Sequence, residues 1–498
     1  MVFNSVDFLL FFPAVCFLYY VLPIKVRYLW LLAASYYFCV CWGIKFAGWL
    51  FATTVITYLC GRVLDNVKNL KTEKSKIIKY KKICLVCGIT ISLSMLFFFK
   101  YFNFFGQAIE GVLNKISIKV VVPKVSVLLP VGMSFYIFQG IGYLIDIYRE
   151  EIAAEKNFFK YALYLSFFPR LISGPIERSK NLLEQIQQPV KFDVEKIRRG
   201  LLTFAWGLFL KLAVADRIAN VINPVFDNYG DYHAMSYLVV VVMYAFQVYF
   251  DFEGYSLMAI GSAGILGYGL KSNFASPYFS SSIQEFWRRW HISLTSWFRD
   301  YLYIPLGGNR KGKVRKHLNT MIVFLTSGLW HGAGWNFIIW GGLNGFYIVF
   351  QDLTKKWREK VYEKFGIDTN GVLFKCCAGL VTFLLVDFAW LFFRVETFGK
   401  VADMLGMMIK NVEVGKFFEI AFWGEIVTAE NLVLITVLVA CAFGVDYLRY
   451  KNIDVVGYVF KQPWIVRWML YYALLFTIVF LGAYGEGYEQ TQFIYFQF

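Results

Sequence analysis

The chain of 498 residues is 58% hydrophobic and 20% aromatic, and only 17% of it is charged, against roughly 25% in an ordinary soluble domain. A soluble core has no room for that much apolar surface, because surface grows nearly as fast as mass. A disordered chain needs the opposite balance of low hydrophobicity and high charge. The formal net charge of +16 comes from 50 Lys and Arg against 34 Asp and Glu. In a lipid-borne chain such cations gather in loops and set orientation; no nucleic-acid partner is implied.

The pattern predicts an all-α integral membrane protein. Apolar stretches approaching the roughly 17–25 residues that span lipid recur near 5–23, 28–43, 45–60, 82–102, 125–147, 200–221, 235–255, 318–332, 333–350, 371–393, 432–448 and 464–484. The run from Val6 has no basic residue before it and no small-residue cleavage site, so it reads as a retained helix rather than a signal peptide. Shorter pieces at 157–173 and 256–270 carry Pro or Gly and read as re-entrant or broken, a backbone tolerated at membrane depth only inside protein or around water. A single membrane domain over 1–498 is the simplest organisation, with its motifs in 125–350, further helices over 371–484 and a tail at 485–498.

Charge then orients the chain. Basic clusters fall at 62–82, 307–317 and 352–364, and Arg149, Arg178, Lys180, Arg198 and Arg199 flank the 157–173 piece. Placing these in the cytoplasm puts the N-terminus and the tail outside. Nine cysteines show no zinc-ligand spacing, and no metal site is expected. HExxH, GxSxG and P-loop patterns are absent from the sequence.

Only four histidines occur. His233 and His317 sit in polar loops and read as solvated side chains. His331 lies in Ser327-Gly-Leu-Trp-His-Gly-Ala-Gly-Trp335, within a nearly uncharged tract from Met321 to Phe350. A polar ring at membrane depth is costly and usually functional, although a histidine bonded between helices fits the same pattern. His291 lies in Glu285-Phe-Trp-Arg-Arg-Trp-His-Ile-Ser-Leu-Thr-Ser-Trp-Phe-Arg-Asp300. At helical spacing Trp287, Trp290, Leu294 and Trp297 form an apolar stripe, predicting an amphipathic interfacial helix.

The stretch from Ser282 to Gly308, Ser-Ile-Gln-Glu-Phe-Trp-Arg-Arg-Trp-His-Ile-Ser-Leu-Thr-Ser-Trp-Phe-Arg-Asp-Tyr-Leu-Tyr-Ile-Pro-Leu-Gly-Gly, followed by Leu329-Trp-His-Gly-Ala-Gly-Trp-Asn336, resembles the membrane-bound O-acyltransferase (MBOAT) family. Within it, the bacterial branch of the alginate O-acetylation proteins is most similar. Leu128-Leu-Pro-Val-Gly-Met-Ser-Phe-Tyr136 and Phe167-Phe-Pro-Arg-Leu-Ile-Ser-Gly-Pro-Ile176 carry the same resemblance, as do both ends of the chain.

The resemblance implies a fold of about 11–13 transmembrane helices plus re-entrant and interfacial ones, in the cytoplasmic (inner) membrane of a bacterium. It implies His331 and His291 as catalytic positions, the second being held by His or Asn across the family. It also implies a tunnel from a cytoplasmic acyl donor to an acceptor outside. No bound cofactor is expected; acetyl-CoA is the expected donor substrate, and Arg288, Arg289, Asn309 and Arg310 are candidates to hold it. The expected partners are membrane lipid and a separate extracytoplasmic SGNH-type protein that completes transfer to a polysaccharide or cell-wall glycan.

The tail Phe493-Ile-Tyr-Phe-Gln-Phe498 reads as an interfacial aromatic anchor. It also resembles the acyl-accepting motif of a small protein that accompanies D-alanyl transferases, which makes Tyr495 a candidate acyl relay. Two rival functions remain at this point. One is D-alanyl transfer to teichoic acid from a carrier-protein thioester. The other is a transporter or flippase, whose signature would be intramembrane acids; Glu253, near Asp251, is the nearest candidate.

Overall fold

A computed structural model describes residues 1–68, 70, 73–125, 129–172, 174–228, 230–410, 413–485 and 492–494. Among them the regular elements are helices and no strand occurs, as the sequence predicts. Among the described residues six helical runs are long and apolar enough to cross a bilayer: Ile44–Val67, Lys74–Lys115, Ala234–Ile265, Val372–Arg394, Ala429–Tyr450 and Trp464–Leu481. Other expected spans are shorter, such as Val6–Val21 with 16 residues, or begin on a basic turn, as Lys313–His331 does. The expected count of 11–13 therefore depends on helices shorter or more polar than a standard span.

The described residues form two compact units. The first comprises Met1–Leu201 and Ala259–Lys271. It contains α1 (Val6–Val21), α2 (Arg27–Val40), α3 (Ile44–Val67), α4 (Lys74–Leu96), α5 (Phe102–Lys115), α6 (Met133–Tyr148) and α7 (Phe158–Ser166). Small residues let α3 and α6 approach closely: a Cβ at Gly61 would lie 2.7 Å from the Tyr143 ring, and one at Gly140 2.9 Å from the Thr57 methyl. The buried hydroxyls of Thr53, Thr54 and Thr57 are satisfied by carbonyls one turn back, at 2.9, 2.7 and 2.7 Å. Asn157 caps α7 by accepting from the Phe159 and Lys160 amides. The helix breaks at Phe167 and restarts as Phe168–Leu171, the interrupted course expected for 157–173.

The second unit comprises Leu202–Met258 and Ser272–Phe498. Its principal helices are α8 (Val194–Leu208) from Leu202 on, α9 (Asp216–Asp227), α10 (Ala234–Ile265) up to Met258, α11 (Ile283–Arg289), α12 (Ile292–Phe298), α13 (Lys313–His331), α14 (Trp335–Leu353), α15 (Val372–Arg394), α16 (Ala429–Tyr450) and α17 (Trp464–Leu481). A π-helical turn at Phe209–Ala215 joins α8 to α9. The expected break over 256–270 is not found: α10 runs on to Ile265 before turning at Gly267, where φ is +86°. Its glycines serve close helix contact instead. A Cβ at Gly207 of α8 would lie 2.6 Å from the Gly254 carbonyl oxygen of α10.

Candidate active site

The site is built on two backbone devices, both in the second unit. The first is the hairpin of α13 and α14, joined through Gly332-Ala333-Gly334. A Cβ at Gly328 would collide with the Phe337 carbonyl, and one at Gly341 with the Phe324 carbonyl, so the two helices pack backbone to backbone. His331 is the last residue of α13 and is 5% exposed. The imidazole stands edge-on to Trp330, Trp340 and Phe393, at centroid distances of 5.0, 5.0 and 5.3 Å. The backbone turn fixes its position and the aromatic cage fixes its orientation.

The second device replaces the single amphipathic helix expected over 285–300. The segment is two short helices, α11 and α12, broken at His291, whose backbone is left-handed at φ +42° and ψ +53°. Such a conformation costs a non-glycine residue roughly 1–2 kcal/mol. Asn273 offsets it: its carbonyl accepts from the Ile292 amide at 2.8 Å, and its Oδ1 accepts from the Ser293 hydroxyl at 2.6 Å. At about 0.5–1.5 kcal/mol each, these two bonds match the cost of the kink. The Ala275 amide adds a bond to the Arg289 carbonyl at 3.0 Å.

Trp287, Trp290, Leu294 and Trp297 are all buried, so the stripe read as interfacial is a core face. His291 is 1% exposed and stands edge-on to Phe252 of α10 at 4.8 Å. Burial at this turn pushes its pKa down to about 3, because an apolar surround disfavours the imidazolium. It is neutral near pH 7.

The two imidazole centroids are 6.5 Å apart, with ring planes at 60°. With centroids that far apart, even the nearest ring nitrogens stay beyond the roughly 2.7–3.2 Å of a hydrogen bond. Residues 40 positions apart are thus brought to one buried place. The basic candidates divide. Arg288 is exposed on a cleft of about 520 Å³ lined also by Ala275, Ser282, Gln284, Glu285 and Arg289. Arg289 is already engaged, by Glu285 at 3.0 Å, the Ala275 carbonyl at 2.9 Å and the face of Tyr450 at 4.9 Å. Asn309 and Arg310 lie on an exposed turn after α12 and are not among the residues lining this cleft. Of the other two histidines, His317 bonds Asp352 at 2.8 Å and His233 lies near Lys416.

Tyr495 lies outside the described residues, but the two residues before it do not sit at an interface. Phe493 and Ile494 are 0% and 2% exposed, and the Phe493 ring packs on Tyr255 at 4.3 Å. Asp251 and Glu253, the intramembrane acids that a transporter reading singles out, each hold a cation: Lys211 at 2.7 Å and Arg449 at 2.9 Å. Lys211 also reaches Asp216 at 2.6 Å. The sequence gives no direct sign of this buried group, since Lys211 and Asp251 meet only through the Gly207–Gly254 crossing. Among the described residues no three His, Cys, Asp or Glu side chains gather as a metal site would require.

Comparison with known proteins decides the family. Over 409 residues the chain is 37% identical to a probable alginate O-acetylase AlgI of Pseudomonas putida, covering 82% of this chain and 80% of that protein. The chain belongs to the membrane-bound O-acyltransferase family. The family's own model matches residues 148–369, which include both histidines. A peptidoglycan O-acetyltransferase of Helicobacter pylori is 33% identical over 446 residues, covering 82% of this chain and 80% of that protein. A teichoic acid D-alanyltransferase of Streptococcus thermophilus is 30% identical over 240 residues, covering 45% and 58%. This MBOAT protein is an O-acyltransferase, all-α and multi-pass in the membrane.

Proposed function

We propose that the protein moves an acetyl group from cytoplasmic acetyl-CoA across the bacterial cytoplasmic membrane for O-acetylation of an extracytoplasmic polysaccharide or cell-wall glycan, with His331 as general base. The observation that carries the reading is the pair of buried imidazoles, held by a rigid helix hairpin on one side and a left-handed kink on the other. In the proposed step a neutral His331 takes the proton of an acceptor hydroxyl. The oxygen attacks the thioester carbonyl, the C–S bond breaks, and the departing thiolate of coenzyme A recovers the proton from the imidazolium. His291, neutral and fixed, orients the thioester or the acceptor. Arg288 on its cleft is the candidate for the donor's phosphates; Arg289, spent on other partners, is a weaker one.

The acceptor in the membrane is proposed to be the Tyr495 phenol. A phenol is a poor nucleophile until a base removes its proton. The acyl ester then passes to a separate extracytoplasmic SGNH-type partner. Acetyl rather than D-alanyl is favoured because the relatives named for O-acetylation match 82% of the chain and the D-alanyltransferase 45%.

The test is His331→Ala in cells, read as acetyl content of the surface glycan together with the amount of membrane-inserted protein. Loss of a general base costs about 10²–10⁴-fold in rate, so acetylation disappears while insertion is normal. Near-normal acetylation in the variant overturns the assignment.

A further inference from the structure

The segment around Phe493 carries an inference that rests on the reading of His291 and His331 as the site. Two described stretches, 481–483 and 492–494, are each hydrogen-bonded to other helices of the second unit. Where α17 stops, the Leu481 carbonyl accepts from the Arg217 guanidinium at 2.8 and 3.2 Å. The Ala483 amide then donates to the Leu212 carbonyl at 2.8 Å, on the π-turn between α8 and α9. Further on, the Ile494 amide donates to Oδ2 of Asp251 at 2.9 Å.

Asp251 is no incidental acceptor. It is fully buried, as is Lys211, whose ammonium holds its other oxygen and also Asp216. A backbone N–H taken this deep into an apolar interior needs a partner, and a carboxylate is a stronger one than a neutral group. The docked side chain is aimed as well. Phe493 packs on Tyr255 at 4.3 Å and on Phe252 at 5.9 Å, and Phe252 is the ring that stands against His291. One aromatic ring therefore separates the docked segment from the proposed site.

We propose that Asp251, held by Lys211, is a positioning residue that docks the 492–494 segment of the chain as a resident wall of the acyl-transfer site. The occupant of this surface is the chain's own segment, recognised by one backbone N–H and an aromatic side chain. The docking fixes the point from which the chain continues to Tyr495.

Hydrogen–deuterium exchange on the full-length protein in detergent tests this without relying on activity. The peptide covering 492–494 should exchange at least tenfold more slowly than an unstructured peptide of the same sequence. Asp251→Ala should abolish that protection while the α13–α14 hairpin keeps its own, and Asp251→Asn, which retains a carbonyl acceptor, should restore part of it. His331→Ala should leave the protection intact while losing acylation, which separates this proposal from the assignment of the base. Fast exchange of the segment in the unaltered protein, or unchanged protection in Asp251→Ala, overturns the proposal. Should Asp251→Ala fail to fold, Ile494→Pro removes the amide donor, together with the buried isoleucine side chain, and leaves the Lys211–Asp251 pair; Ile494→Ala, which keeps the amide, is the control and should keep its acylation. An at least tenfold loss of acylation with an otherwise unchanged exchange map is then expected of Ile494→Pro, and its full activity overturns the docking role.

Discussion

The left-handed backbone at His291 makes a prediction that separates backbone from side-chain roles. Replace His291 by Ala, by Gly and by Asn. Ala and Gly both remove the imidazole and leave nearly the same space beside Phe252, so they differ mainly in backbone preference. At φ +42° and ψ +53° an alanine carries the left-handed cost of about 1–2 kcal/mol, which glycine does not. Glycine loses about 0.4–1 kcal/mol through its freer unfolded chain. The glycine variant is therefore expected to be more stable than the alanine variant by about 1 kcal/mol. Asparagine tolerates the left-handed region better than most residues and falls between them. Denaturation of the three purified variants in one detergent reads the order directly. Activity follows a different order: the Ala and Gly variants are inactive, and the Asn variant keeps measurable acylation because its amide can still hydrogen-bond. An alanine variant as stable as the glycine one would refute the claim that the kink stores strain. Wild-type activity in both would remove His291 from the site.

Other expectations follow from the same geometry. Lys211→Met leaves Asp216 and Asp251 buried without their shared cation and is expected to destabilise by about 3–5 kcal/mol, visible as a lower unfolding midpoint; adding Asp216→Asn and Asp251→Asn recovers much of the loss. Tyr495→Phe keeps an aromatic ring and removes only the hydroxyl, so it should insert normally and fail to acylate the glycan; full activity would reject the relay. Single cysteines at Lys74 and Lys313, in a background lacking the native thiols, should react with impermeant reagents only from the cytoplasmic side. Labelling from outside intact cells would reverse the direction of transfer.

The apolar runs of the sequence are nearly all helices, because burial in lipid leaves the backbone little choice. The stripe of Trp287, Trp290, Leu294 and Trp297 correctly marks an apolar face. Periodicity cannot say whether such a face meets lipid or protein, and nothing about a histidine announces a left-handed break; the signal for it lies in Asn273, on a different segment. Glycines in 256–270 suggest an interruption, yet in α10 they let helices touch, as Gly261 does against Gly200. The two histidines were legible from their motifs. Their approach to 6.5 Å was not, since it depends on a hairpin and a kink packed against each other. The Lys211–Asp251 pair and the burial of Phe493 are long-range facts with no local pattern to reveal them.

The role proposed for His331 is that of base in an acetyl transfer from acetyl-CoA. Purified protein is incubated with acetyl-CoA labelled in the acetyl group, and release of free coenzyme A is followed over time. The unaltered protein should turn over acetyl-CoA slowly and carry label on the tail, and His331→Ala, equally folded, should be slower by about 10²–10⁴-fold and carry none. Equal turnover and equal labelling by the two proteins would contradict the account.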